Sequence, residues 1–110
     1  MGERTTNSGE QAKHASVIRN DAQLRYEIWY DDKLAGFAEY RERDDDTVFI
    51  HTEVDTEYAG MGMGNTLAQE AVEDTIARGS NVVPRCPFIK GWLDKHPQYD
   101  DHEVGKGIQR

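Results

Sequence analysis

The sequence predicts an α/β fold with a mixed sheet: an antiparallel strand meander followed by strand, loop, helix, strand and helix. Three observations predict it. Apolar residues alternate with period two from Ala15 to Val54, interrupted by acidic turns. From Met63 the spacing changes to three and four, as on one face of a helix. Between the two patterns stand Gly60, Gly62 and Gly64, glycine at every second position.

Residues 1–13 hold no apolar side chain beyond Met1 and Ala12 and read as a flexible N-terminal tail. The first strand is "ASVIR". Asn20-Asp21 turns the chain into "QLRYEIWY", where Leu24, Tyr26, Ile28 and Tyr30 share one face. Asp31-Asp32 leads into "KLAGFAEYRER", and Asp44-Asp45-Asp46 leads into "TVFIHTEV", which is rich in residues that strands favour. On that strand His51 is expected on the face of Phe49 and Glu53.

Met63, Leu67, Ala68, Ala71, Val72, Thr75 and Ile76 make one helical stripe, stopped at Arg78-Gly79. "NVVP" then reads as a strand and "PFIKGWLDKH" as a second helix, with Gly91 as its weak point. A helix linking "TVFIHTEV" to "NVVP" makes a right-handed crossover the expected connection, so the two strands are expected to be parallel neighbours. Residues 14–103 are read as a single domain, and 104–110 as a flexible C-terminal tail.

Thirteen Lys and Arg against 21 Asp and Glu give a formal charge of -8. That balance argues against nucleic acid as a partner, since phosphate backbones are bound mainly by Lys and Arg. A basic or cationic substrate is easier to accommodate, and the same acidity keeps a small domain soluble. No apolar run approaches the ~20 residues of a membrane span, and the first residues lack the apolar centre of a secretion signal, so a cytoplasmic protein without a membrane partner is expected. Cys86 is the single cysteine, which rules out an internal disulfide. His14, His51, His96 and His102 are dispersed, and no metal site is expected. The oligomeric state leaves no signature.

A strand that ends in glycines and opens into a helix presents unpaired backbone N–H groups at the positive end of the helix dipole, an arrangement suited to a phosphate or pyrophosphate. The glycines either let the backbone approach such a ligand or simply permit positive φ. The spacing is not that of the G-x-G-x-x-G dinucleotide loop, and no Lys lies between Lys33 and Lys90 to make a nucleotide-hydrolysing loop.

The segment "TVFIHTEVDTEYAGMGMGNTLAQEAVEDTIARG", followed by "VVPRCPFIKGWLDKHPQY", resembles the acetyl-coenzyme A (acetyl-CoA) binding core of the GNAT N-acetyltransferases. The chain is most similar to that superfamily's short single-domain branch, whose recurring segments match His51 to Val54, Gly60 to Gly64, Pro84 to Phe88 and His96 to Tyr99. The likeness spans nearly all of residues 15–100. It implies a GNAT-like fold, acetyl-CoA as cofactor and a small-molecule or peptide amine as acceptor. The alternative it leaves is a CoA- or acyl-CoA-binding module with little turnover.

The superfamily's Q/R-x-x-G-x-G/A motif falls on Ala59 to Gly64, and Ala59 departs from it by lacking the Gln or Arg side chain. The resemblance implies a pyrophosphate held by the backbone of Ala59, Gly60, Met61, Gly62, Met63 and Gly64, with polar contacts from Asn65 and Thr66. It also implies that the strand edge at Glu53 and Val54 pairs with the pantetheine arm, with Cys86 and Phe88 close by.

Pro87 suits the first position of the second helix, which sets Cys86 at or beside the N-cap, where the dipole favours a thiolate. A buried cysteine that only fills space is the other reading. As a nucleophile Cys86 takes the acetyl group and passes it on; otherwise the amine attacks the thioester directly and Cys86 contacts or protonates the departing thiolate. Direct transfer, the usual GNAT route, is slightly favoured. His51 is the candidate base, with Glu53 competing. Phe88, Trp92, Tyr99 and Trp29 are expected to be core aromatics.

Overall fold

The computed structural model describes residues 14–110; the tail expected over 1–13 lies outside the described residues. Strands β1 (Ala15–Asn20), β2 (Arg25–Tyr30), β3 (Lys33–Arg43) and β4 (Asp46–Val54) form an antiparallel meander. A 3-10 turn at Thr56–Tyr58 leads to helix α1 (Met63–Ala77), which is followed by β5 (Asn81–Pro84), α2 (Pro87–Asp94) and a 3-10 helix at Pro97–His102. The sheet order is β1-β2-β3-β4-β5, and β5 pairs parallel with β4, as the crossover argument requires.

The acidic turns close the meander because Asp tolerates the left-handed region: Asp31 and Asp44 both sit at φ 54°. Leu24 also has positive φ and lies in the first turn, so it is exposed and does not share the strand face of Tyr26 and Ile28. The α1 stripe from Met63 to Thr75 is buried against the sheet, where the Tyr26 hydroxyl donates to Asp74 Oδ2 at 2.6 Å. Gly79, at φ 81°, ends the helix: its amide bonds Ile76 O and that of Ser80 bonds Thr75 O, the paired arrangement of a Schellman stop.

A β-bulge in β4 overturns one expectation. Tyr40 pairs with Phe49 and Glu39 with His51, so Ile50 has no partner. One extra residue reverses the alternation. Phe49 therefore packs in the core against Tyr26 and Tyr40, whereas His51 lies on the opposite face with Phe37 and Glu53. Past the bulge it is Thr52 and Val54 that take the core side.

The segment 104–110, expected to be a loose tail, packs instead. The Val104 amide donates to Val82 O at 2.9 Å, which lays this segment beside β5. Glu103, only 1% exposed, accepts from Lys90 Nζ at 2.8 Å. Arg110 donates to both carboxylate oxygens of Asp46, at 2.6 and 3.0 Å. Lys106 and Arg110 of this segment are ion-paired across the fold, with Asp94 and Asp46.

Candidate functional site

The glycines after β4 have two different structural causes. Gly60 and Gly62 lie at φ 81° and 80°, where any L side chain is strained. Gly64 is helical, and a Cβ there would stand 2.8 Å from Phe88 Cζ. Of the two readings of the glycines, positive φ applies to Gly60 and Gly62, and Gly64 is instead a packing position against Phe88. Around Gly60 a Cβ would meet nothing within 4 Å, so that side of the loop is also open.

Gly62 is the N-cap of α1 and no side chain caps the helix. Its carbonyl accepts from Thr66 N at 3.0 Å, the first bond of the helix. Among the described residues, nothing accepts from the amides of Gly62, Met63, Gly64 and Asn65. Four donors at the positive end of a helix of 15 residues are thereby presented together. No Lys or Arg lies between Arg43 and Arg78 in the sequence, and Asp55 and Glu57 belong to the 3-10 turn that precedes the loop.

The side chains around these amides are arranged less generously than the sequence implies. Met61 is exposed and Met63 is core. Asn65 Oδ1 accepts from Trp92 Nε1 at 2.8 Å, which ties α1 to α2. Thr66 is buried and its amide is taken by Gly62. Ala59 closes the 3-10 turn with its amide on Thr56 O. Phe88, expected in the core, is 42% exposed and covers Gly64. Trp29 is only half-buried, on the sheet face away from the helices, with Nε1 on Glu27 Oε1. Trp92 and Tyr99 stack as anchors, at 5.4 Å between ring centroids.

Next to the amides the sheet opens. The β4–β5 ladder runs from Asp46 to Phe49 and stops, while β4 continues to Val54. At the parting point Phe49 O accepts from both Arg85 N and Cys86 N, at 3.0 and 2.9 Å, and Pro87 then starts α2. Among the described residues the β4 edge from Ile50 to Val54 consequently has no strand partner on the β5 side, and the start of α2 meets it through Thr52 and Cys86.

Cys86 is the N-cap of α2, as the flanking prolines imply. It is 2% exposed, and its Sγ shares a hydrogen bond of 3.2 Å with Thr52 Oγ1 on the core side of β4. His51 is exposed on the other side, its Nε2–H donating to Glu53 Oε2 at 2.8 Å. The two candidate catalytic residues are therefore separated by the strand and form no thiol–imidazole pair. Glu53 belongs with His51, while Val54 packs toward the core. Among the described residues, no three His, Cys, Asp or Glu side chains converge as a metal site, and no helix is long and apolar enough to cross a membrane.

The overall fold is similar to that of a solved structure. The NMR solution structure of a GCN5-like N-acetyltransferase candidate from Staphylococcus aureus matches this fold with a TM-score of 0.64, at 24% identity, covering 83% of this chain and 89% of that one. No protein of curated function matches the sequence. Residues 25–102, which run from β2 to the end of the last 3-10 helix, match the family described as GCN5-related N-acetyl-transferase. A match over that span makes the chain a member of the GCN5-related N-acetyl-transferase family.

Proposed function

We propose that the protein transfers an acetyl group from acetyl-CoA to an amine. One observation carries the reading: four unbonded amides, from Gly62 to Asn65, stand at the head of α1 beside a strand edge that β5 leaves unpaired. The amides suit a pyrophosphate and the β4 edge suits the amide-bearing pantetheine arm. The open space at Gly60 supports the same fit.

Acetyl-CoA supplies an activated acetyl thioester. Around it this chain contributes positions and proton transfer. The Gly62 to Asn65 amides would hold the pyrophosphate, and the edge at Glu53 and Val54 would align the arm, with Cys86 the thiol nearest that edge. His51, oriented by Glu53, takes the proton of the incoming ammonium from the opposite face of β4. The burial of Cys86, its bond to Thr52 and its separation from His51 favour direct attack by the amine over an acetyl-cysteine route. Cys86 then contacts or protonates the departing thiolate.

Ala59 favours a second reading, a CoA-binding module with little turnover, because the loop lacks the side chain that the motif usually supplies. One experiment separates them. Purified protein is given acetyl-CoA with a panel of amines and thiol release is followed; acceptor-dependent release supports the transferase, and saturable binding without release supports the module.

A further inference from the structure

A groove on the outer face of the sheet, away from the helices, is not used by any residue of the cofactor site. Val48 and Val83, paired between β4 and β5, and Val104 beside them floor a cavity of about 320 Å³. Arg43, Arg85 and Arg110 form its rim with Asp44 and Asp46. In a chain of formal charge -8, three arginines around one apolar floor are a marked local reversal. Asp46 and Arg110 satisfy each other through two hydrogen bonds. Among the described residues neither Arg43 nor Arg85 has an ion-pair partner within 4 Å, although Arg43 stands opposite Asp46 in the β3–β4 register and Asp44 lines the same rim.

The groove begins where the β4–β5 ladder ends. Arg85 is the residue whose amide closes the β4–β5 ladder on Phe49 O, directly before Cys86. On the same outer face, past the bulge, stand His51 and Glu53. From Val48 to His51 is three residues, roughly 10 Å along a strand. One face thus carries an imidazole and a carboxylate at one end and guanidinium groups at the other, with Val48 and its cross-strand partner Arg41 between them.

We propose that the acceptor is an amine that also bears a carboxylate across a short apolar chain, its nitrogen at His51 and Glu53 and its carboxylate on Arg43 and Arg85. The inference rests on the acetyltransferase reading and reverses the expectation of a purely cationic acceptor drawn from net charge. A guanidinium recognises a carboxylate through directed, charge-assisted hydrogen bonds, which an alcohol or a second ammonium does not reproduce. A free ω-amino acid and a peptide ending in lysine present this same chemistry.

Calorimetry tests it, with ω-amino acids, the matching amino alcohols, the matching diamines and a short peptide ending in lysine titrated into the protein, with and without saturating CoA. The expected result is saturable binding of an ω-amino acid or of the peptide, at least about tenfold weaker binding of the amino alcohol and diamine, and about a tenfold loss in each of Arg43→Gln and Arg85→Gln, the scale of one charge-assisted hydrogen bond. The stronger of the two carboxylate-bearing ligands identifies the source as free or peptide-borne. Equal binding of acid, alcohol and diamine, or arginine variants that bind as the parent does, overturns the proposal, as does no binding of any carboxylate-bearing amine at millimolar concentration. Failure of CoA to bind while the ω-amino acid still does would sink the acetyltransferase reading and leave the groove's specificity standing.

Discussion

Replacing Gly62 with alanine tests the loop from its backbone upward. Gly62 holds φ 80° and ψ 11° as the N-cap of α1. A Cβ in that left-handed region costs about 1–2 kcal/mol. The smaller entropy of the unfolded alanine chain returns roughly 0.4–1 kcal/mol, so the net loss is on the order of 1 kcal/mol. For a domain of this size that lowers Tm by about 4–8 °C. Gly60→Ala, at φ 81° with no atom near its Cβ, should lose as much. Gly64→Ala should behave differently. Its backbone is helical, where alanine gains about 1 kcal/mol over glycine, and the obstruction is the half-exposed ring of Phe88. The single variant should stay within about 0.5 kcal/mol of the parent, and Gly64→Ala in a Phe88→Ala background should be stabilising by about 0.5–1 kcal/mol. Urea unfolding of the parent, the three single glycine variants, Phe88→Ala and the double variant measures each difference. D-Alanine at position 62, introduced by chemical synthesis, accepts positive φ and should restore the parent's stability. Unchanged stability in Gly60→Ala and Gly62→Ala, or a large loss in Gly64→Ala that persists without Phe88, refutes the division of roles among the glycines.

Intact-mass analysis after incubation with acetyl-CoA alone should show no acetyl adduct on Cys86; a stoichiometric adduct absent from Cys86→Ser would establish the two-step route. Raising ionic strength should tighten CoA binding, because no Lys or Arg lines the loop and the net repulsion between an acidic protein and an anionic ligand is screened. Affinity that weakens with salt would reveal cationic contacts that the loop geometry does not contain. The hydrogen bond from Arg110 holds the Asp46 carboxyl below the usual carboxylate range, so the pair stabilises the fold above the unfolded pKa and its contribution is lost as pH falls through the lower, folded value. Arg110→Gln should therefore lower stability at neutral pH and change nothing once Asp46 is protonated, a difference that urea titrations at neutral and strongly acidic pH resolve. Burial and the hydrogen bond to Glu73 push the Tyr99 hydroxyl up to about 12, so its contribution is present below the unfolded value near 10 and disappears as pH rises toward 12. Tyr99→Phe should accordingly lose its stability deficit in strong alkali.

The period of each segment made the element order legible: alternation found the meander, the three-four spacing found α1, and the two prolines put Cys86 at an N-cap. What the period could not carry was the bulge at Ile50. Val48, Phe49 and Ile50 are three consecutive apolar residues in a strand with one buried face, which strict alternation cannot accommodate, and that run was the available signal. Missing it set His51 beside Phe49 and hid the separation of His51 from Cys86. The C-terminal segment was misread for another reason. Its ion pairs reach far along the chain, Arg110 to Asp46 across 64 residues, and local composition is blind to partners at that distance. The groove is assembled from the ends of β3 and β4, from β5 and from this same segment, so only the fold brings its arginines together.

The account stands on the amides at the head of α1 acting as the pyrophosphate cradle. Titrating CoA into isotopically labelled protein and following backbone amide resonances tests that most directly. Saturating, concerted shifts should centre on Gly62, Met63, Gly64 and Asn65 and extend along β4 from Ile50 to Val54. Saturation with the largest shifts elsewhere, or none at millimolar ligand, would contradict it.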